Sequence, residues 1–403
     1  MHDKQLLKIS DIQGLTNLLI DATLNVTNIA EDLNQQIIYP PYLPSNPIQH
    51  IISGISGLVY KSVRETTKLV GRGITGGLAL LAPERSIGIS FNQKETILSI
   101  LNGVIGDYLN KEQNPLALPM QFKYQGKAIS LQPKAIQETY SKPSGKILLM
   151  IHGLCMDDLQ WNKNGHNHGE LLAKEFNFSP IYLRYNSGLH ISKNGQHLSN
   201  LLEDLVQNWP VPIEEITILA HSMGGLVIRS AHNYATLEQK NWTKHLKKII
   251  FLGTPHQGAP LERVGNHVDH LLEAIPYTRP FAKLGKMRSA GITDLRLGLL
   301  VEEDWVNLDR FENKIKQATV LPLPKTIDCY VIAASMQSKT EDTPFPQLGD
   351  GLVPIKSALG QHKKATQSLQ FKPSNTSIIY KINHVELLTS LEVYQKIKQY
   401  LTR

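Results

Sequence analysis

The sequence predicts an α/β protein: a mostly parallel central sheet with helices on both faces, a helical N-terminal extension and a helical lid insertion. Three observations predict it. From Lys146 onward, short apolar runs alternate with helix-patterned segments, as they do when strands are joined by crossover helices. Residues 1–118 carry helical spacing without that alternation. Residues 256–325 interrupt the alternation and are too long for an ordinary connection.

The N-terminal elements come first. Leu15, Leu18, Leu19, Ala22 and Val26 recur at helical spacing within residues 1–38. "YPPYLPSNP" (39–47) cannot continue a helix and reads as a turn or linker. The stretch that follows places Ile52, Ile55, Val59 and Val63 on one helical face, but its many glycines make it a weak helix without packing. A third helix is expected over about 95–110. Together these make residues 1–118 a helical region and 119–403 a second domain that carries the insertion.

"QFKYQGKAISL" (121–131) then reads as two short strands around a turn at Gly126. "KILLMI", "PIYLRY", "EITILA", "KKIIFL", "IDCYVIAA" and "SIIYKI" follow as strands. Helices are expected near Glu170–Phe176 and in "GQHLSNLLEDLVQNW", "MGGLVIRSAHNYA" and "LEVYQKIKQYLT".

Composition bounds the function classes. Over 403 residues, 41% are apolar and 19% charged, which is globular. Two cysteines, Cys155 and Cys329, can make neither a disulfide framework nor a zinc site, and they point to a reducing compartment. The N-terminus lacks a cationic region followed by an apolar core, and no apolar run is long enough to span a bilayer. A cytoplasmic protein is expected, with no signal peptide or transmembrane helix. The net charge of +7 is not concentrated at the N-terminus, where 9 Lys/Arg face 10 Asp/Glu over residues 1–118. One cationic cluster stands out: Arg279, Lys283, Lys286, Arg288 and Arg296. A solvated face explains it more simply than an anion-binding patch, and no nucleic-acid-binding pattern accompanies it.

The chemistry centres on "ILAHSMGGLV" (218–227). Ser222 follows one strand directly and precedes a helix, which puts it at the C-terminal edge of a parallel sheet. Ala220 stands where the G-x-S-x-G pattern has its first glycine, and Gly224 and Gly225 let the helix start close to the strand. A serine hydroxyl needs a base, and the base an oriented acid. Asp350, in the glycine-flanked turn of "PQLGDGLVPIKSA", and His384, in "YKINHVELL", each come just past an expected strand. Each alone reads as turn or loop chemistry. The order Ser222, Asp350, His384 is far more specific. "LLMIHGL" ends another strand, where an oxyanion loop would sit. Its donors would be the backbone N–H groups of Leu154 and Met223, the latter at a helix N-terminus.

These motifs resemble the α/β-hydrolase superfamily on its lipase and esterase side. "AHSMGG" resembles the serine turn of small bacterial lipases. "HSMGGLVIR" with "FLGTPHQGAPLE" is similar to lipases and to deacylases that act on lipid-linked inositol. "GDGLVP" and "NHVELL" resemble the acid and base segments of bacterial lipases. The resemblance covers about 120–403 and is vague over 261–325. The N-terminal region resembles that of a group of uncharacterised bacterial hydrolases. The resemblance implies an α/β-hydrolase fold and a serine hydrolase acting on lipid or acyl-chain esters through an acyl-enzyme. The residue patterns themselves suggest no cofactor and no catalytic metal, with a structural calcium left open.

Other residues read as structure. His256 lies in a loop near the site's rim, Asp157 and Asp158 cap a helix, and Asp304 and Asp309 fall in the insertion. His166 and His168 lack a carboxylate motif for metal binding, and Cys155 lacks a nucleophile's setting. "VDHLLEAIPYTRPFAKLGKM" (268–287) has the apolar content of a lid, with Leu271, Leu272 and Phe281 as substrate-contacting candidates beside Ile275 and Leu284. The expected partner is an acyl-ester or lipid substrate, with peripheral contact to a membrane surface as a second reading of the N-terminal helices and the cationic cluster. Two alternatives stay open: acyl transfer or amide hydrolysis through the same triad, and a catalytically inactive hydrolase fold serving as a binding module.

Overall fold

The structure is a computed structural model, and it describes residues 91–163, 165–259, 289–306, 318–338 and 349–403. Eight strands form one sheet: β1 (Gln121–Tyr124), β2 (Lys127–Ala128), β3 (Lys146–Ile151), β4 (Ser179–Arg184), β5 (Glu215–His221), β6 (Leu246–Leu252), β7 (Asp328–Ser335) and β8 (Thr376–Tyr380). Their order is β2-β1-β4-β3-β5-β6-β7-β8. β1 runs antiparallel to both β2 and β4, and every other pairing is parallel. This is an α/β-hydrolase fold.

The helices are α1 (Phe91–Lys111), α2 (Pro133–Thr139), α3 (His168–Phe176), α4 (Ile191–Asn208), α5 (Met223–Leu237), α6 (Trp242–His245), α7 (Ala290–Leu297), α8 (Ile355–Ala358) and α9 (Leu391–Leu401). Five of the six residues of "KILLMI" are buried because both sheet faces are covered. On one face Ile147, Leu149, Ile218 and Phe251 pack with Leu198 and Leu202 of α4 and Leu226 and Ile228 of α5. On the other, Leu148, Met150, Leu219 and Ile250 pack with Leu172 of α3 and Val393 and Ile397 of α9. The strands and helices expected from Gln121 onward are present in that order.

Glu95–Tyr108 and Leu118–Arg403 form one compact unit, and Leu109–Ala117 falls to a second. Within the first unit, α1 closely approaches the loops after β3 and β4. A methyl group on Gly103 would sit 2.2 Å from Cys155 Sγ, and one on Gly106 1.9 Å from Asn186 Oδ1. Glu95 of α1 is buried and holds Arg184 (2.5 Å) and Lys123 (3.2 Å), while Lys123 also reaches Asp158 (3.2 Å).

Of the insertion, the described parts include α7, capped by Ser289 Oγ accepting from the Ile292 N–H, and a short 3₁₀ turn at Glu302–Asp304. Asp294 accepts from the Ile191 N–H at the start of α4 and from His190, whose ring stacks on Trp305 at 3.7 Å. The helices expected before residue 91 lie outside the described residues. So do Leu271, Leu272, Phe281, Asp309 and the cationic residues 279–288. Among the described residues, no helix is long and apolar enough to cross a membrane.

Candidate active site

In a parallel sheet the C-terminal ends of neighbouring strands share one edge, and ligands of open α/β sheets bind there. Ser222 follows β5, Asp350 lies beyond β7, and His384 lies beyond β8. Ser222 sits between strand and helix with φ 53° and ψ −124°, a conformation side chains rarely adopt. Its N–H donates to Leu252 O of β6 (2.9 Å), which fixes the turn.

The small residues around this turn have identifiable neighbours. A methyl on Gly224 would come within 2.6 Å of both Ile151 O and His152 O, and one on Gly225 within 2.0 Å of Thr254 Oγ1. Ala220 is fully buried between β3 and β6, opposite Ile151 and Phe251.

Asp350 and His384 are bonded to each other. The imidazole Nδ1 lies 2.7 Å from Asp350 Oδ2, and both side chains are buried. The second carboxylate oxygen accepts from the Val353 N–H (2.7 Å) and the Leu352 N–H (3.0 Å). The His384 N–H donates to Asp350 O (3.0 Å). Gly253 at the end of β6 leaves room for this pair. A methyl there would stand 3.2 Å from both Asp350 Oδ2 and His384 Cε1, and its φ is +57°.

The loop after β3 closes against Ser222: a methyl on Gly153 would lie 3.0 Å from Ser222 Cβ. The loop is pinned at several points. Tyr185 OH donates to His152 O (2.9 Å), with its ring stacked on the imidazole at 4.4 Å. The Cys155 N–H donates to Ser187 Oγ (3.1 Å), and Cys155 itself has φ +58°. Asp157 Oδ1 accepts from the Leu159 and Gln160 N–H groups, and its other oxygen accepts from Thr96 Oγ1 of α1 (3.1 Å). Of the two N–H groups proposed from sequence, that of Met223 differs from its neighbours. Those of Ser222 and Cys155 are committed to acceptors. That of Met223 is the first of α5 and has no acceptor within its helix.

The electrostatics follow from burial. The His152 imidazole is pushed down to about 4, chiefly by burial, with Arg184 and Lys123 adding to the effect. His221 is held well below its ordinary value by burial and then by the neighbouring His384. Burial, with Asp158 beside it, raises Asp157 to about 6. Among the described residues, no group of His, Cys, Asp and Glu could hold a metal ion.

The other sequence candidates have different partners. Asp157 caps a 3₁₀ turn, as expected, but Asp158 is the partner of Lys123. His256 is buried rather than on a rim, packed on Phe251 and Phe371 beside Arg229 Nη1 (3.4 Å). His166 Nε2 and His168 Nδ1 are 2.7 Å apart, and His168 Nε2 donates to Leu387 O. Asp304 accepts from the Leu300 and Thr319 N–H groups. The Cys155 thiol is buried and raised to about 12, unsuited to nucleophilic use. Not anticipated were His221, whose Nε2 lies 3.1 Å from His384 O, and the contacts of α1 with the loop after β3.

Residues 142–330 match the PGAP1-like alpha/beta domain. The PGAP1-like segment holds β3 to the start of β7, and with them Ser222 and the loop after β3. Asp350 and His384 lie beyond its end. Solved structures with similar folds include a mature lipase of Bacillus licheniformis, 16% identical over 65% of this chain and 93% of its own, with a TM-score of 0.39. An esterase of Pyrococcus furiosus is 13% identical over 64% of this chain and 82% of its own, with a TM-score of 0.37. Lipase B of Aspergillus fumigatus is 10% identical over 70% of this chain and 55% of its own, with a TM-score of 0.38. No curated protein matches the chain in sequence.

Proposed function

We propose that the protein is a serine carboxylic-ester hydrolase in which Ser222 is the nucleophile, His384 the base and Asp350 the orienting acid. The observation that carries this is the 2.7 Å His384–Asp350 bond, on the sheet edge where the turn after β5 presents Ser222. With Nδ1–H given to Asp350, His384 presents a bare Nε2, the form needed to take a hydroxyl proton. Ser222 Oγ attacks the ester carbonyl carbon, and its proton passes to His384 Nε2. The oxyanion receives the N–H groups of Leu154 and Met223, reinforced by the N-terminal end of α5. The tetrahedral intermediate collapses as the imidazolium protonates the leaving alkoxide. Water then repeats the sequence on the acyl-enzyme.

The substrate class proposed is a lipid or acyl-chain ester, received under the apolar segment 268–287, with Leu271, Leu272 and Phe281 against the acyl chain. Peripheral contact with a membrane surface, through the cationic residues 279–288, belongs to the same proposal. Residues 1–118 and 119–403 are proposed as its helical and catalytic parts.

The test is hydrolysis of p-nitrophenyl esters of increasing chain length by the full chain. Ser222→Ala is expected to abolish turnover, and Asp350→Asn and His384→Ala to lower kcat by about 10⁴-fold or more. Equal rates for wild type and Ser222→Ala end the reading. Unchanged rates for Asp350→Asn and His384→Ala would end only their assignments.

A further inference from the structure

We propose that His221, the residue before the nucleophile, is a positioning residue that clamps the backbone of His384. The inference rests on the serine-hydrolase reading and deepens it. His384 stands in the loop past the last strand of the sheet, where a catalytic base is least supported by its own secondary structure. Its N–H is given to Asp350 O at 3.0 Å. Its C=O lies 3.1 Å from His221 Nε2. Both peptide groups flanking its Cα are therefore held, one by the acid's backbone and the other by the nucleophile's neighbour.

The chemistry of His221 suits this use. A neutral imidazole has one N–H, and here that proton sits on Nε2, because the facing atom is a carbonyl oxygen. The ring is fully buried, and burial keeps it neutral. Its other nitrogen, Nδ1, has no hydrogen-bond partner and would lie 3.2 Å from a methyl on Gly153. The ring also lies 4.6 Å from that of His384, at 44°, with the edge of Trp161 behind it. His221 belongs to β5, so the clamp ties the base to the nucleophile's own strand across β6 and β7. Movement of the 381–388 loop relative to Ser222 then requires breaking a buried hydrogen bond.

Glutamine and asparagine separate a donor from mere bulk. A glutamine Nε2 reaches about as far from the backbone as an imidazole Nε2, and an asparagine Nδ2 does not. The experiment compares His221→Gln and His221→Asn with wild type and Ser222→Ala on p-nitrophenyl butyrate. Thermal unfolding followed by circular dichroism normalises each rate to folded protein. We expect His221→Asn to lower kcat about ten- to a hundredfold with KM changed less than about twofold, since a small misplacement of a catalytic group costs on that order. His221→Gln should recover to within about threefold of wild type. The far-downfield proton of the Asp350–His384 bond should persist in the glutamine variant and broaden or move in the asparagine variant. Equal kcat in the two variants, whether both match wild type or both are impaired, overturns the clamp. If Ser222→Ala keeps wild-type turnover, the failure belongs to the serine-hydrolase reading; if it is dead while His221→Asn is unimpaired, only the clamp has failed.

Discussion

Replacing Ser222 by glycine or by alanine separates backbone strain from chemistry, because both variants lack the hydroxyl. At an ordinary helical position alanine is the more stable by about 1 kcal/mol. Ser222 has φ 53° and ψ −124°, where a Cβ is strained and glycine is not. Holding a side chain there costs about 1–3 kcal/mol. Glycine gives back about 0.4–1 kcal/mol through its freer unfolded chain. The strain is the larger quantity, so Ser222→Gly should exceed Ser222→Ala in stability by about 1–2 kcal/mol. In a unit of this size that is about 2–3 °C in Tm. The assay is thermal unfolding of the two hydroxyl-free variants at one pH, followed by circular dichroism. Equal stabilities, or a more stable alanine variant, would show that the turn is unstrained and refute the reasoning.

Three further outcomes follow from the loop after β3. Gly103→Ala should destabilise by about 1–3 kcal/mol rather than gain helix propensity, because its methyl would overlap Cys155 Sγ at 2.2 Å and two Cys155 backbone atoms at 3.0 Å. It should also lower kcat at least about tenfold, read by ester hydrolysis, with Cys155→Ala restoring only part since the backbone contacts remain. Gly224→Ala should lower kcat about a hundredfold, because the methyl meets two carbonyl oxygens at 2.6 Å and drives the start of α5 from the oxyanion position. Asp157→Asn tests the raised carboxyl. With the folded value near 6 and the ordinary one 3.8, the native state binds the proton more tightly, so this contribution is full below about 4 and is lost as pH rises through 6. The asparagine variant keeps the two backbone bonds to its Oδ1. Its stability should gain on wild type across pH 4–6, by at most about 3 kcal/mol, read from a buffer-matched melting series. A constant difference would locate the titration elsewhere.

Which features the sequence made legible has a physical explanation. A strand buried on both faces must be apolar throughout, so "KILLMI" and "EITILA" announced themselves, and a parallel sheet then puts all their C-terminal ends on one edge. Ser222, Asp350 and His384 each follow such an end, and that is why three residues 128 and 34 positions apart could be grouped without coordinates. Adjacent acids were less separable: Asp157 caps and Asp158 pairs with Lys123, and nothing local distinguishes them. His256 reads from sequence as loop structure near the site's rim, since no later acid pairs with it. Burial came from Phe251 and Phe371, residues distant in the chain. The least legible contacts share a chemical reason. His221 to His384 O, Tyr185 to His152 O and Ser289 to Gly103 O are all side-chain bonds to backbone carbonyls. Every residue supplies that acceptor, so no partner motif marks it. The side chains proposed to react have to be of particular types and so mark the sequence. Those that hold them in place are chosen by where a carbonyl passes, and only the fold reveals that.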